Sequence, residues 1–305
     1  MTGQPFKENH MTAIPEPRNT PHRLLLATDL SARCDRALDR AAQLAGEWQA
    51  ELVALNVLDP AASPDQALAW ISGASDEQLL HVARQQLARD LAAANVPTTL
   101  RLVRSEDATA AIREAAASTQ SGLVVTGMSS NETLGRLLLG STVENLARSL
   151  SQPLLVVRSR ARGPYRRILV ASDFSEPSRH ALLTAARLFP GRELVLYHAH
   201  ALAMSGLAAA SSHPGVCVGI EETEYAAFMA ATALPPNVKV RPVVECGAIE
   251  STLTRYVREH DIDLVVMGSH GRSGIMSLLL GSTAAKLLDW LPCDTLLVRT
   301  PTTTI

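Results

Sequence analysis

Short runs of Val, Leu and Ile alternate along the chain with longer stretches whose apolar residues recur at helical spacing. In the second half, Arg167–Ala171, Glu193–His198, Val238–Val244, Leu264–Met267 and Thr295–Arg299 read as strands. Residues 175–189, 221–233, 248–260 and 282–290 read as helices, with Ser175 and Ser282 placed as N-caps. The runs LVVMG (264–268) and LLVVR (154–158) are apolar throughout instead of alternating. Such strands are buried on both faces, as in a parallel sheet covered by helices. The pattern therefore predicts an α/β fold with doubly wound, Rossmann-like, five-stranded parallel sheets.

The same order of segments occurs twice. RLLLATDLS (23–31) matches RILVASDFS (167–175) at an offset of 144, and ELVALNV (51–57) matches ELVLYHA (193–199) at 142. LVVTG (123–127) matches LVVMG (264–268) at 141, and PLLVVR (153–158) matches DTLLVR (294–299). A duplication accounts for so small a drift. The expected division is a loose tail over 1–21, a first domain over 22–158, a basic Gly-Pro linker over 159–166 and a second domain over 167–305.

Composition narrows the functional classes. A net charge of −2 over 305 residues argues against general affinity for nucleic acid or an anionic membrane surface. No apolar run approaches the roughly 18 residues of a membrane span. The Pro-rich N-terminal stretch lacks the apolar core of a signal peptide, so a cytoplasmic protein is expected. The four cysteines (Cys34, Cys217, Cys246, Cys293) show no framework spacing. That suits a reducing compartment, and Cys246 and Cys293 read as small buried residues.

Ligands of doubly wound sheets bind beyond the C-terminal strand ends, where strand order reverses. Asp29 and Asp173 stand there after the first strands, and a Gly/Ser-rich stretch follows each fourth strand. In the second copy the spacing is Gly268-x2-Gly271-x9-Gly281-Ser282. Glycines past a strand allow positive φ and close ligand approach. Gly281-Ser282-Thr283 leads a helix whose free N–H groups suit phosphate. The competing reading is a plain helix start, which Ser141-x-x-Glu144 supports in the first half as a capping box. A P-loop is excluded because no GxxxxGK[ST] occurs, and no GxGxxG follows a strand.

The glycine spacing, ASDFS (171–175) and DLVVMGSHGRSG (263–274) resemble the universal stress protein (UspA) family, in a tandem two-domain form. The resemblance covers nearly all of both halves and implies ATP as ligand, with Mg2+ as an optional companion. It implies that Asp173 lies near the adenosine and that the backbone at Ala199 reads adenine. Gly268 and Gly271 would allow close approach, and Gly281, Ser282 and Thr283 would hold the phosphates. It further implies pairing of the two fifth strands into an internal pseudo-dimer, with homodimers and protein partners left open. Arg272 is a candidate counter-charge and His270 reads as a surface loop residue.

The first half departs from the motif. Gly127, Gly140, Ser141 and Thr142 are kept beside Asp29, but Ser130 replaces the second glycine and Ser105 stands opposite Gly247. One competent site, in the C-terminal half, is expected. No base or attacking water is positioned by sequence, so hydrolysis is expected to be slow or absent, with phosphate transfer to a nearby Ser or Thr left open. Two alternatives remain. One is a nucleotide-free interaction scaffold. The other is a zinc hydrolase using His198, His200 and His213 with Cys217, residue types that suit zinc but match none of its standard spacings.

Overall fold

A computed structural model of the chain describes residues 20–58, 75–92, 94–128, 132–133, 136–137, 140–200, 220–271 and 280–300. The first half runs β1 (Arg23–Thr28), α1 (Asp35–Trp48), β2 (Glu51–Leu58), α2 (Asp76–Asp90), β3 (Thr98–Arg104), α3 (Ala108–Ser118) and β4 (Leu123–Gly127). A small ladder, β5 (Glu132–Thr133) and β6 (Arg136–Leu137), precedes α4 (Ser141–Ser149) and β7 (Leu154–Val157). The second half repeats the plan as β8 (Ile168–Ala171), α5 (Glu176–Leu188), β9 (Glu193–His200), α6 (Ile220–Ala230) and β10 (Lys239–Cys246). It closes with α7 (Ile249–Glu259), β11 (Leu264–Gly268), α8 (Ser282–Trp290) and β12 (Asp294–Val298).

All ten long strands form one sheet in the order β10-β9-β8-β11-β12-β7-β4-β1-β2-β3. Each half contributes parallel strands, and β1 and β8 each lie between neighbours reached by opposite crossovers. Among the described residues of this sheet, the single antiparallel pairing is between the two fifth strands, with Leu296 opposite Leu155 and Thr295 opposite Val156. The internal pairing implied by the family resemblance is thus present. The central strands are buried on both faces, as their unbroken apolar runs require.

One face packs on α1 and α5, through residues such as Leu44 and Leu182, with Phe228 of α6 at its margin. The other packs on α3, α4, α7 and α8, through Ile112, Leu146, Leu253 and Leu287. Both cores contain residues of the two halves, so the sheet and its helical layers run continuously across the seam.

Two helix starts differ from expectation. Gly140 and Gly281 are the N-caps of α4 and α8, both extended and without a side-chain cap bond. Ser141 and Ser282 are instead the first helical residues. The Ser141–Glu144 capping box does not form, and Glu144 pairs with Arg148 at 3.6 Å. A capping box is present at α2, where Ser75 and Gln78 bond reciprocally. Ser175 caps α5 as its sequence position predicts.

Candidate functional site

The C-terminal ends of β8, β9 and β11 open onto a cavity of about 330 Å3. After β8 the chain turns through Ser172-Asp173-Phe174, with Phe174 at φ 59°. A left-handed non-glycine residue needs support. Here the Phe174 N–H donates to Ser172 Oγ at 3.0 Å, and Asp173 Oδ1 accepts from the Ser175 N–H at 3.1 Å. The Phe174 ring stacks on His198, with centroids 4.5 Å apart. His198 Nδ1 in turn donates to the Ser172 carbonyl at 2.8 Å, so this imidazole is oriented by backbone.

On the opposite wall the Ser269 N–H reaches the Val298 carbonyl, and the Gly281 N–H reaches the Ser269 carbonyl, both at 2.9 Å. These bonds hold the start of α8 beside the end of β11. The cavity consequently has two ends of different character. Ala171, Ala199, Ile249, Met267 and Leu287 make an apolar end. Asp173, Gly268, His270, Gly271, Gly281, Ser282 and Thr283 make a polar one. Because Gly281 supplies no capping side chain, the first N–H groups of α8 remain available to an anion.

The glycines work through space and not through unusual backbone, which corrects the expectation of positive φ. Neither Gly268, Gly271 nor Gly281 has positive φ. A Cβ on Gly268 would lie 3.0 Å from the His270 carbonyl oxygen and 3.1 Å from Pro177 Cβ. On Gly271 it would lie 2.6 Å from Asp173 Oδ2. The residue that does need to be glycine for its backbone is Gly247, at φ 137°, whose added Cβ would also meet Thr252 Cγ2 at 2.9 Å. Gly247→Ala is expected to destabilise the protein by about 1–3 kcal/mol, read as a lowered urea midpoint. Ser105→Gly is expected to give no gain beyond about 0.5 kcal/mol, since Ser105 has no positive φ to relieve.

The corresponding place in the first half is smaller, about 200 Å3. Val57 lines it where the repeat puts Ala199, adding bulk to the apolar end. At the polar end Asp29 is bound inward. Its Oδ1 accepts from the Ser31 N–H at 2.9 Å and from Cys34 Sγ at 3.0 Å, and Arg33 lies 3.5 Å from Oδ2. Burial alone would raise the Asp29 carboxyl, but these hydrogen bonds and the Arg33 charge hold it below its ordinary range. The repeat puts Pro177 and Ser178 where Arg33 and Cys34 stand, so those two side chains are not repeated beside Asp173, although Ser175 holds its Oδ1 as Ser31 holds that of Asp29. A Cβ on Gly127 would find only ordinary contacts, the nearest 3.6 Å away. Thr142 lines this pocket, whereas Gly140 and Ser141 do not.

The Universal stress protein family model matches the chain twice, over residues 21–158 and 164–299. The chain belongs to the universal stress protein family. A universal stress protein of Mycolicibacterium smegmatis is 26% identical over 302 residues, covering 92% of this chain and 98% of that one. Universal stress protein A homolog 2 of Coxiella burnetii is 32% identical over 142 residues, 44% of this chain and 95% of its own. The crystal structure of a universal stress protein from Archaeoglobus fulgidus superposes with a TM-score of 0.65 at 20% identity, covering 91% of this chain and 98% of that one. The fold is therefore that of tandem universal stress domains.

Of the residues expected at the site, Asp173, Ala199, Gly268, Gly271, Gly281, Ser282 and Thr283 all line the second cavity. Arg272, Ser130, His213 and Cys217 lie outside the described residues. His270, read as a surface loop residue, lines the cavity and bonds to Ser269 Oγ through Nδ1 at 2.8 Å. Ser172, Ser178, Ile249, Met267 and Leu287 were not singled out by sequence. Ser172 and Met267 sit at strand ends and Ser178 and Ile249 near helix starts, while Leu287 faces the cavity from within α8.

His198 lines the cavity but His200 does not, and among the described residues no cluster of three metal-ligating side chains occurs. Cys246, read as a small buried residue, is disulfide-bonded. Cys34 and Cys293 are free, and burial chiefly pushes their thiols up to about 11 and about 12, away from reactive thiolate. None of the helices formed by the described residues is long and apolar enough to cross a membrane.

Proposed function

We propose that this protein is an ATP-binding regulatory module with one competent nucleotide site, in its C-terminal half, and slow or no hydrolysis. The observation that carries this reading is the two-ended cavity, in which an apolar wall suited to a flat ring adjoins a helix start without a capping side chain. Ala199 and its apolar neighbours would take the base. Asp173 would face the sugar, and Gly268 and Gly271 would let it approach. Gly281, Ser282 and Thr283, with Arg272 as counter-charge, would hold the phosphates. Mg2+ fits this donor set, because it commonly takes one carboxylate together with substrate phosphates, and Asp173 lines the cavity. The first half is proposed as mainly structural, given its smaller pocket and the Arg33 and Cys34 contacts to Asp29.

The test is the nucleotide content of the purified protein, followed by calorimetric titration with ATP. About one ATP per chain is expected, with release of inorganic phosphate too slow to complete a turnover within minutes. Two per chain would sink the asymmetry. No binding at all would leave an interaction scaffold built on an inherited fold.

A further inference from the structure

The segment joining the two halves lies along a second and larger cleft, about 1110 Å3, on the face of the molecule near the start of β8 and the end of α7. Eight arginines line it against two aspartates, in a chain whose net charge is −2.

Three of these arginines are structural. Arg36 donates to the Arg158 carbonyl at 2.8 Å, and Arg158 donates to the Leu288 carbonyl at 2.8 Å. Arg40 is buried against Asp294. Both aspartates are also engaged. Asp263 Oδ2 accepts from the backbone N–H groups of Arg166 and Arg167 at 2.9 Å, and Asp261 lies 3.5 Å from Arg167. Four guanidinium groups remain, on Arg160, Arg162, Arg166 and Arg258. All four are exposed and have no side-chain partner among the described residues. Their like charges repel, which disfavours the unliganded arrangement and favours a multivalent anion.

The lining also limits what that anion can be. It offers no aromatic face for a base to stack on, because Tyr165 is buried with the Arg40 guanidinium 4.0 Å over its ring. Among the described residues, Val257 and Ile262 are its only branched aliphatic ones, too little for the buried apolar anchors of a peptide interface. Guanidinium forks match phosphate oxygens bidentately, and four exposed ones line this one cleft.

We propose that this cleft binds a compact inorganic oligophosphate, a ligand with several phosphate groups and no base. The inference does not depend on the nucleotide reading, since among the described residues the two cavities share no lining residue. It is tested by titrating the full-length protein with inorganic tripolyphosphate at low and moderate salt. Wild type is expected to bind with affinity that falls as salt rises. The triple variant Arg160→Gln/Arg166→Gln/Arg258→Gln is expected to bind about a hundredfold more weakly while keeping the wild-type melting temperature. Arg160→Gln alone should fall in between, and Gly271→Val should bind tripolyphosphate as wild type does. The proposal is overturned if wild type does not bind, or if the triple variant binds equally well. It is also overturned if the loss follows Gly271→Val, which would place the anion in the nucleotide cavity. Tighter binding of a single-stranded oligonucleotide would overturn it in favour of a nucleic-acid surface.

Discussion

Gly271→Val is expected to weaken ATP binding by about 10- to 100-fold while the protein stays folded, as read by calorimetric titration beside a melting curve. The first atom added is already in the wrong place, because an ideal Cβ at 271 lies 2.6 Å from Asp173 Oδ2. Asp173 cannot simply rotate away. Its other oxygen accepts from the Ser175 N–H at 3.1 Å, in the turn that starts α5. Either the carboxylate leaves that turn or the chain after Gly268 moves, and both alter the polar end of the cavity. The steric account makes a second, sharper prediction. Gly271→Ala combined with Asp173→Ala should cost less than the sum of the two single changes, since the colliding carboxylate is gone. Additive losses would show that the two residues act separately. Gly127→Val should leave ATP stoichiometry unchanged, because the nearest atom to a Cβ there is 3.6 Å away.

That contrast shows what was legible in the sequence and what was not. The unbroken apolar runs of β4, β7, β11 and β12 identified a covered parallel sheet because burial on both faces leaves no polar alternation. The near-constant offset identified two copies of one domain. The glycine spacing pointed to the sheet edge that carries the larger apolar-and-polar cavity, and of the two causes expected for it, positive φ did not hold. Positive φ and steric crowding both favour glycine, and a sequence cannot separate them until the facing atom is known. Asp173 is that atom for Gly271, and it comes from a strand almost a hundred residues earlier. The caps expected at Ser141 and Ser282 failed for a related reason, although Ser175 caps α5 as expected. Gly-Ser before an apolar helix reads as a serine cap, yet glycine takes the cap position here and serine the first turn. The expected asymmetry rested in sequence on Ser130, whereas the Arg33 and Cys34 contacts to Asp29 appear only once the turn after β1 is folded.

The seam between the halves carries the largest expected effect on stability. Asp294→Ala should lower the unfolding free energy by about 3–5 kcal/mol, measured by urea unfolding. The Asp294 carboxylate is fully buried at the start of β12 and Arg40, 5% exposed, lies 3.3 Å away. Its Oδ1 accepts from the Arg158 and Ser159 N–H groups at 2.8 Å, and its Oδ2 accepts from the Tyr165 hydroxyl at 2.7 Å. Burial, then the Asp294 charge, keeps that hydroxyl well above the ordinary tyrosine range, so it serves as a donor. One side chain thus joins α1 of the first half, the connecting segment and β12 of the second. Removing it strands a buried guanidinium and three donors together, which is why the loss should exceed that of an ordinary hydrogen bond. The repeat puts Pro153 at the matching position of the first half, so no second carboxylate compensates. Replacing both members of the pair, as in Arg40→Met/Asp294→Leu, should recover much of the lost stability, because the cost lies in the unpaired charge. If Asp294→Ala instead unfolds at the wild-type midpoint, the halves are held by the β7–β12 pairing and the shared cores alone.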